Sequence, residues 1–450
     1  MPETKKVVLV VIDGLTAAMF ESTVERRTPA LAYLAEHGRY SRAVSAFPSL
    51  TPVCLSTIAT GAGPDIHHIP HLVWWHRGEE RLVEYGSSFA AVRAAGTLRA
   101  LRDTIYNLNE EHLGPEAVTV YEALEDSGLT AAAVNITCYR GRTRYLPTVP
   151  GVTRPAYGPK RFFFYNLFES DVTGAPMAVK GRALGSVDGY AAAVGRWLVT
   201  RDGFDFFVCY LPDYDYASHA SGPGEAHEAL ERSDRAIGAL MDAAGGADAF
   251  LERYAVILCA DHGQTLVSEA ASLQARFADT DGIVVTASNR AGMVYRLDSA
   301  EEDARQLAQR LDDDPAAEVV LFLEEDEAVA RRDGEELRFS RAPEGWRTSG
   351  DTSILEGPDA VARSWAALRN PNAGDLIVSA APGFEFVDLG GRHHVGGGSH
   401  GSLGAADSIV PMLTVGLERQ PASIAEIAPA VLTHFAVEPP PYARVLEHAA

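Results

Sequence analysis

Three nearly continuous apolar runs constrain what this chain can fold into. They span residues 6–12, 204–211 and 254–259. Runs of this length without polar alternation are typical of central strands in a parallel sheet that is covered on both faces. Other segments of helical or strand character alternate around them, at 28–37, 41–47, 119–127, 130–136, 190–200 and 225–244. The sequence therefore predicts an α/β fold with a mainly parallel central sheet sandwiched by helices.

The alternation breaks between residues 265 and 390. This part combines strands, a helix and charged hairpin-like segments, and it ends near an apolar run at 375–379 that we predict to be a strand of the main sheet. We predict that residues 1–264 and 391–450 form an α/β core. Residues 265–390 then form an inserted α+β cap. A His- and Trp-rich flap around 61–115 either lines a binding site or packs on the core.

The charge of the chain bears on its partners. Of 450 residues, 39 are Lys or Arg and 61 are Asp or Glu, which gives a net charge of −22. A surface this acidic repels a polyphosphate backbone, so we expect no nucleic-acid partner. A small anionic substrate remains compatible with this charge if metal ions or Arg side chains compensate it locally.

The cysteines and the N-terminus indicate a compartment. Cys54, Cys138, Cys209 and Cys259 are far apart and form no CxxC pair, so we expect buried free thiols in a reducing environment. The first apolar run is short and ends at an Asp, unlike a signal sequence, and no stretch has the length of a membrane span. We therefore expect a cytoplasmic protein without a membrane partner, either a monomer or a homo-oligomer.

A helix start at Thr51 is a candidate anion site. In the segment FPSLTPVCLSTIATG, Pro52 suits the first position of a helix because it lacks an N–H. Thr51 is then predicted to be the N-cap, where backbone N–H groups and the helix dipole converge. An ordinary capping Thr would give the same local pattern.

Carboxylates and imidazoles follow the predicted core strands. An Asp after a strand is usually a turn residue, so each one alone is weak evidence. Carboxylate oxygens and imidazole nitrogens are suitable ligands for Zn²⁺, with three protein ligands leaving one position open for chemistry. The strand ends and a late loop rich in Gly and His supply Asp13, Asp215, His219, Asp261, His262 and His400.

Five ordered motifs carry a family resemblance. They are VVIDG at Asp13, FPSLT at Thr51, DYASH at Asp215 and His219, ADHG at Asp261 and His262, and GSHGS at His400. With them the chain resembles the alkaline phosphatase superfamily, and within it the branch of type I phosphodiesterases and nucleotide pyrophosphatases. The match runs over nearly the whole chain.

The resemblance implies two Zn²⁺ sites, although other divalent transition metals could serve. One site would use Asp215, His219 and His400, and the other Asp13, Asp261 and His262. Thr51 would bridge toward both as the nucleophile and form a phospho-threonine intermediate. Asp213, His393 and His394 compete as ligands, but the family's spacing selects Asp215 and His400.

The substrate is less constrained than the chemistry. The resemblance implies an Asn near position 72 that contacts the phosphoryl group and an aromatic residue beside the nucleophile. Neither is reproduced, because the chain has Leu72 there and Pro52 after Thr51. We predict a phosphodiesterase for a small soluble phosphoester. The alternatives are a phosphomonoesterase, a phosphonate hydrolase using the same metals, or a catalytically silent binding protein on this fold. Candidate substrate contacts are His71, Trp74, Arg140 and Arg142, although the two Arg could instead pair with acidic neighbours.

Overall fold

The computed structural model describes residues 4–24, 27–146, 154–164 and 186–443. In chain order, the strands of this part are β1 Lys6–Ile12, β2 Arg39–Val44, β3 Val73–His76, β4 Arg81–Glu84, β5 Ala131–Val134, β6 Thr143–Tyr145, β7 Ala156–Gly158, β8 Arg161–Phe163, β9 Phe206–Leu211, β10 Tyr254–Cys259, β11 Thr265–Leu266, β12 Glu269–Ala271, β13 Ile283–Ser288, β14 Ala291–Arg296, β15 Ala317–Glu324, β16 Glu327–Arg332, β17 Glu335–Ala342, β18 Gly345–Gly350, β19 Leu376–Ala380, β20 Phe384–Phe386, β21 Gly398–Ser399 and β22 Ile409–Val415.

The α-helices surround these strands and connect them. They are α1 Ala17–Thr23, α2 Pro29–His37, α3 Thr51–Thr60, α4 Pro64–His67, α5 Phe89–Ala95, α6 Thr97–Arg102, α7 Val120–Asp126, α8 Val187–Thr200, α9 Asp213–Ser221, α10 His227–Ala243, α11 Ala247–Arg253, α12 Ala304–Gln309, α13 Ala360–Leu368, α14 Ala405–Ser408 and α15 Ile427–His434. A π-helix at Asp103–His112 continues α6, and short 3₁₀ turns lie at Gln274–Phe277, Thr352–Leu355, Ile424–Glu426 and Pro441–Ala443. In these residues, no helix is both long and apolar enough to cross a bilayer.

The main sheet has the predicted parallel character. Its seven described strands lie in the order β2-β22-β10-β1-β9-β5-β8. Neighbouring strands from β10 to β8 run parallel, and β22 is antiparallel to both β10 and β2. The three apolar runs form the centre, where β9 and β10 are buried along their whole length. The predicted α/β class is therefore confirmed.

The register of the central strands brings their carboxyl ends level. Ile12 at the end of β1 lies opposite Leu211 at the end of β9. Val11 lies opposite Cys259 at the end of β10. The segments that follow these three strands therefore leave the sheet side by side at one edge, which is where ligands gather in open α/β sheets.

A second sheet of seven described strands is antiparallel throughout. Its order is β13-β14-β19-β15-β16-β17-β18. The run predicted to return to the main sheet is β19, and that prediction is wrong, because β19 lies between β14 and β15 of the second sheet. All residues of β19 are buried. Its apolar sequence therefore predicts a buried strand correctly but does not indicate which of the two sheets the strand belongs to.

The two sheets share one hydrophobic core. Met293, Tyr295, Leu321 and Ile377 of the second sheet belong to the same buried cluster as β1, β9 and β10. The opposite face of the second sheet packs in a separate cluster that includes Leu307 of α12. All four cysteines are buried and free, as predicted. The boundaries of the inserted cap remain a prediction.

A buried ion pair joins the second sheet to the loop that carries His400. Arg290, in the turn between β13 and β14, donates to both carboxylate oxygens of Asp407 at 2.9 Å. Asp407 also accepts the N–H and the hydroxyl of Ser402 at 2.9 and 2.7 Å. The Arg290 N–H donates to the carbonyl of His400 at 2.8 Å. Arg290 and Asp407 are 2% and 0% exposed.

We expect Arg290→Met to lower the free energy of unfolding by about 3–5 kcal/mol, because it leaves the Asp407 carboxylate buried without its partner. Chemical denaturation measures this loss. The matched control is Arg419→Met, which removes a half-exposed ion pair with Glu426 at 3.8 Å and should cost at most about 1 kcal/mol. Equal losses in the two variants would show that the Arg290–Asp407 pair has no special part in the fold.

Candidate metal centre and active site

Helix α3 presents Thr51 at its first turn. The helix begins at Thr51, and the N-cap is Leu50, which is extended and accepts the Cys54 N–H at 2.9 Å. The prediction that Thr51 is the N-cap is therefore wrong by one residue. The N-cap is Leu50, because its carbonyl already accepts the first hydrogen bond of the helix. The Thr51 hydroxyl lies 3.1 Å from Nε2 of His262 and is oriented by a long-range contact instead of by capping.

Asp13, Asp261 and His262 form the first predicted group. The Asp13 carboxylate follows β1, and the other two follow β10. Nε2 of His262 lies 3.3 Å from Oδ1 of Asp13 and 3.5 Å from Oδ2 of Asp261. One ligand atom from each of the three residues lies within 4.8 Å of the others. The predicted trio is therefore brought together at the level ends of β1 and β10.

Asp215, His219 and His400 form the second predicted group. His219 lies one turn after Asp215 on α9, and its Nε2 is 3.3 Å from Oδ2 of that carboxylate. Nε2 of His400 is 3.9 Å from Oδ1 of Asp215. The ligand atoms that lie within 4.8 Å of one another here are those of Asp215, His400 and His262, so His262 takes the place in this set that the prediction gave to His219. The rings of His262 and His400 stack at 3.6 Å.

All three imidazoles have the same orientation toward the protein. Nδ1 of His219 donates to the Gly398 carbonyl at 2.7 Å, Nδ1 of His400 to Ser49 at 2.7 Å, and Nδ1 of His262 to Gly263 at 3.1 Å. A hydrogen bond at one ring nitrogen fixes the tautomer and leaves a lone pair on the other. The Nε2 atoms of His219 and His262 therefore face carboxylates, and Nε2 of His400 accepts from the Asn289 amide at 2.9 Å with the Asp215 carboxylate 3.9 Å away. An unprotonated Nε2 is the form that ligates metals.

Within the first of these groups, one oxygen of each carboxylate lacks a hydrogen-bond partner. Oδ1 of Asp13 and Oδ2 of Asp261 are buried and unpaired. Burial raises the pKa of Asp13 well above its ordinary value, and the charges of Asp261 and Asp215 raise it further. Burial likewise raises the pKa of Asp261. These two oxygens face the lone pair of His262, an arrangement that a cation between them would stabilise.

The residues present therefore fit divalent cations. The donor set consists of carboxylate oxygens and neutral imidazole nitrogens, which suits Zn²⁺ and related transition metals. The orientations are held from behind by groups that the sequence analysis did not identify. The Tyr210 hydroxyl donates to Asp13, and the Gln264 amide donates to Asp215.

The other three candidate ligands lie outside both groups. Asp213 accepts the Val187 N–H at 3.2 Å, at the start of α8. His393 is exposed. Nδ1 of His394 pairs with the buried Glu385 at 3.0 Å, and the His394 ring lies 4.1 Å from that of His219. His394 therefore borders the metal groups without joining them.

A cleft of about 280 Å³ opens beside Thr51. Its inner end contains Asp13, Asp215, His219 and His400. The rest of its wall comes from the predicted flap, the loop after β5, and single residues near the metal groups. These other residues are Pro52, Leu72, Tyr85, Gly86, Ser87, Thr104, Leu108, Asn135, Thr137, Tyr210, Tyr216, Asn289 and His394.

The four residues predicted to contact substrate are not part of this wall. His71 is buried, and it accepts the Val73 N–H and contacts the Ala291 carbonyl. Trp74 is buried in the core. Arg140 and Arg142 pair with Glu122 of α7 at 3.3 and 2.9 Å. Among the alternatives left open for the two Arg, the structure therefore favours pairing with acidic neighbours.

The sequence analysis missed Asn135, although a usable signal was present. Asn135 follows directly after β5, so it stands at the carboxyl end of a core strand exactly as Asp13 does after β1. Asn is not a typical zinc ligand, so an argument from metal ligands alone does not reach it. The rule that places ligands beyond strand ends would have included it.

Comparison with known proteins supports this description. No curated protein matches the sequence. The phosphonoacetate hydrolase of Sinorhizobium meliloti 1021, solved with phosphonoformate, has a TM-score of 0.64 at 17% identity, over 96% of this chain and 96% of that one. Murine ectonucleotide pyrophosphatase/phosphodiesterase 5 has a TM-score of 0.62 at 13% identity, over 97% and 96%. At such identities the likeness shows a shared fold.

A match to a family model identifies the family, which the shared fold alone does not. The model for type I phosphodiesterase/nucleotide pyrophosphatase matches residues 7–403, a span that includes Asp13, Thr51, Asp261 and His400. The predicted resemblance is thereby confirmed. The chain belongs to the type I phosphodiesterase/nucleotide pyrophosphatase family.

Proposed function

We propose that this protein is a two-zinc phosphodiesterase that acts through a phospho-threonine intermediate on a small soluble phosphoester. The observation that carries the proposal is the position of Thr51. Its hydroxyl lies 3.1 Å from Nε2 of His262, the one imidazole that lies within reach of ligand atoms in both metal-ligand groups. The nucleophile thus stands where the two groups meet.

The metals would be held by the two predicted groups. Asp13, Asp261 and His262 would hold one ion, and Asp215, His219 and His400 the other. Bound ions would lower the pKa of the Thr51 hydroxyl and offset charge on the phosphoryl oxygens.

The chain's own residues then account for the reaction. Thr51 loses its hydroxyl proton to solvent, and its oxygen attacks phosphorus. The O–P bond forms as the bond to the leaving alcohol breaks, and the alcohol takes the electron pair and a proton from water. Free N–H groups at the start of α3, where Pro52 has none and that of Cys54 already donates to the Leu50 carbonyl, would donate to a non-bridging oxygen. Water then cleaves the phospho-threonine, releasing the phosphate product and restoring Thr51.

The charge of the cleft supports a diester over the alternatives. The described residues that line it include neither Lys nor Arg. A phosphomonoester carries one more negative charge than a diester, and phosphonoacetate adds a carboxylate. Either would benefit from a cationic side chain beside the metals, and Arg140 and Arg142 are engaged elsewhere.

We also propose a cytoplasmic location, which the free cysteines support.

We expect Thr51→Ala to lower the turnover of bis-p-nitrophenyl phosphate at least about a thousandfold, because the attacking oxygen is lost. Release of p-nitrophenolate by zinc-loaded protein measures this rate. Thr51→Ser is the matched control and should retain measurable turnover. Activity in Thr51→Ala at the wild-type level would rule out this nucleophile.

We expect the zinc-loaded protein to hydrolyse bis-p-nitrophenyl phosphate with a kcat/KM at least about tenfold above that for p-nitrophenyl phosphate or phosphonoacetate. The physical reason is that the described wall offers no cation for the additional charge. Initial rates for the three substrates give the ratio directly. A preference for the monoester would favour the phosphatase alternative, and a preference for phosphonoacetate would favour the phosphonate hydrolase.

We expect the purified protein to bind about two equivalents of zinc and His262→Ala to bind about one or fewer, since His262 faces both groups. Elemental analysis after dialysis measures the content. His37→Ala removes an imidazole at the exposed end of α2 and should leave the content at about two. Zinc binding by His262→Ala at the wild-type level would contradict the proposed ligand sets.

A further inference from the structure

The wall of the cleft contains an amide that bonds nothing. Asn135 is fully buried, and neither its Nδ2 nor its Oδ1 has a hydrogen-bond partner. Asn135 lines the same cleft as Thr51 and the metal-facing residues. Buried side-chain amides are nearly always paired, so an amide with both atoms unpaired beside an active site points to a ligand.

The backbone at Asn135 does not explain the side chain. Its φ is 60°, in the left-handed region that Asn tolerates better than most residues. An Asn used only for this purpose commonly bonds its own loop. Here the loop is held by other groups, because Asn109 bonds the Thr137 carbonyl at 2.8 Å and the Tyr139 and Arg140 N–H groups at 2.6 and 2.9 Å.

A second unpaired group lies two residues further along. The Thr137 hydroxyl oxygen is buried, lacks a partner and belongs to the same wall. Other polar side chains of the wall already have partners in the protein. Ser87 donates to Glu84, Thr104 donates to the Ala100 carbonyl, and the Tyr85 hydroxyl is hydrogen-bonded to His112. Asn135 and Thr137 therefore form a pair whose hydrogen-bonding capacity the protein itself leaves unused.

The chemistry of this pair selects the group it can bind. Oδ1 of Asn135 accepts a hydrogen bond and Nδ2 donates one. A phosphoryl oxygen only accepts, so it would satisfy Nδ2 but leave Oδ1 unpaired beside a negative charge. The described wall supplies no Lys or Arg for an anionic group. An uncharged group that both donates and accepts, which an alcohol hydroxyl does, satisfies both atoms.

We propose that Asn135, assisted by Thr137, binds a free hydroxyl on an alcohol group of the substrate. The substrate class is then a phosphodiester of a polyhydroxy alcohol, and this assignment rests on the proposed phosphodiesterase function. Leu72, where the family has an Asn, lies in the same cleft but is apolar. The unpaired amide of Asn135, in the loop after β5, is thus left to bind the alcohol part of the substrate.

The test compares the binding of two diesters of equal charge to zinc-loaded Thr51→Ala protein, which cannot turn them over. The probes are bis(2-hydroxyethyl) phosphate and diethyl phosphate, and calorimetry gives both dissociation constants. We expect the hydroxylated diester to bind about tenfold more tightly. In Thr51→Ala/Asn135→Gly the preference should disappear while diethyl phosphate binds as before, since Gly keeps the left-handed backbone.

A matched control and a second variant guard against a structural effect. Asp333→Gly changes an exposed left-handed residue, with φ 49°, far along the chain in the β16–β17 turn, and it should keep the preference. Thr137→Val keeps the side-chain shape and removes a hydroxyl that has no partner in the protein, so it should weaken the preference without lowering the melting temperature. Equal affinities for the two diesters in Thr51→Ala, or a preference that survives in Asn135→Gly, would overturn the proposal.

The failure of this inference is separable from failure of the proposed function. If wild-type protein hydrolyses bis-p-nitrophenyl phosphate but Thr51→Ala binds the two probes equally, the hydroxyl subsite is wrong and the phosphodiesterase stands. If wild-type protein does not hydrolyse it, the proposed function fails, and the hydroxyl subsite fails as a substrate site with it.

Discussion

The lone pairs of His262, Asp13 and Asp261 face one another at the ends of β1 and β10, and the candidate site depends on this arrangement. Nε2 of His262 points at oxygens of Asp13 and Asp261 from 3.3 and 3.5 Å, and its Nδ1–H is already used by Gly263. Such an arrangement is repulsive without a cation and strongly attractive around one. The fold sustains it because the parallel strands beneath are buried on both faces and cannot move apart without exposing the core.

The sheet that creates this crowding was predictable from the sequence, and so was the site it carries. The runs at 6–12, 204–211 and 254–259 have no polar face, so they had to be central, and parallel central strands end at one edge. That argument brings Asp13, Asp215 and Asp261 together without any knowledge of side-chain positions. His400 is different. His400 was predicted only from its sequence motif, because it lies on a loop, where no hydrophobic periodicity indicates the position of a residue.

Predictions failed where a pattern has more than one physical cause. The strand β19 is apolar because it is buried, but burial under either sheet produces the same residues. Arg140 and Arg142 lie in an acidic protein, and whether they meet Glu122 or a substrate depends on how α7 packs, which spacing does not encode. The cleft wall joins the flap, the loop after β5 and the β13–β14 turn. Contacts between segments so distant in sequence have no local signature.

The ion pair between Arg290 and Asp407 has a consequence for how the metal centre is assembled. It fastens the loop of His400 to a turn of the second sheet, so one ligand of the centre is in place only when both sheets have formed. Because a ligand that binds only the native state stabilises it by mass action, an ion held by Asp215 and His400 would also stabilise the contact between the two sheets. The docking of the second sheet and the affinity of that one site for a metal ion would then be coupled, whereas Asp13, Asp261 and His262 all follow strands of the parallel sheet.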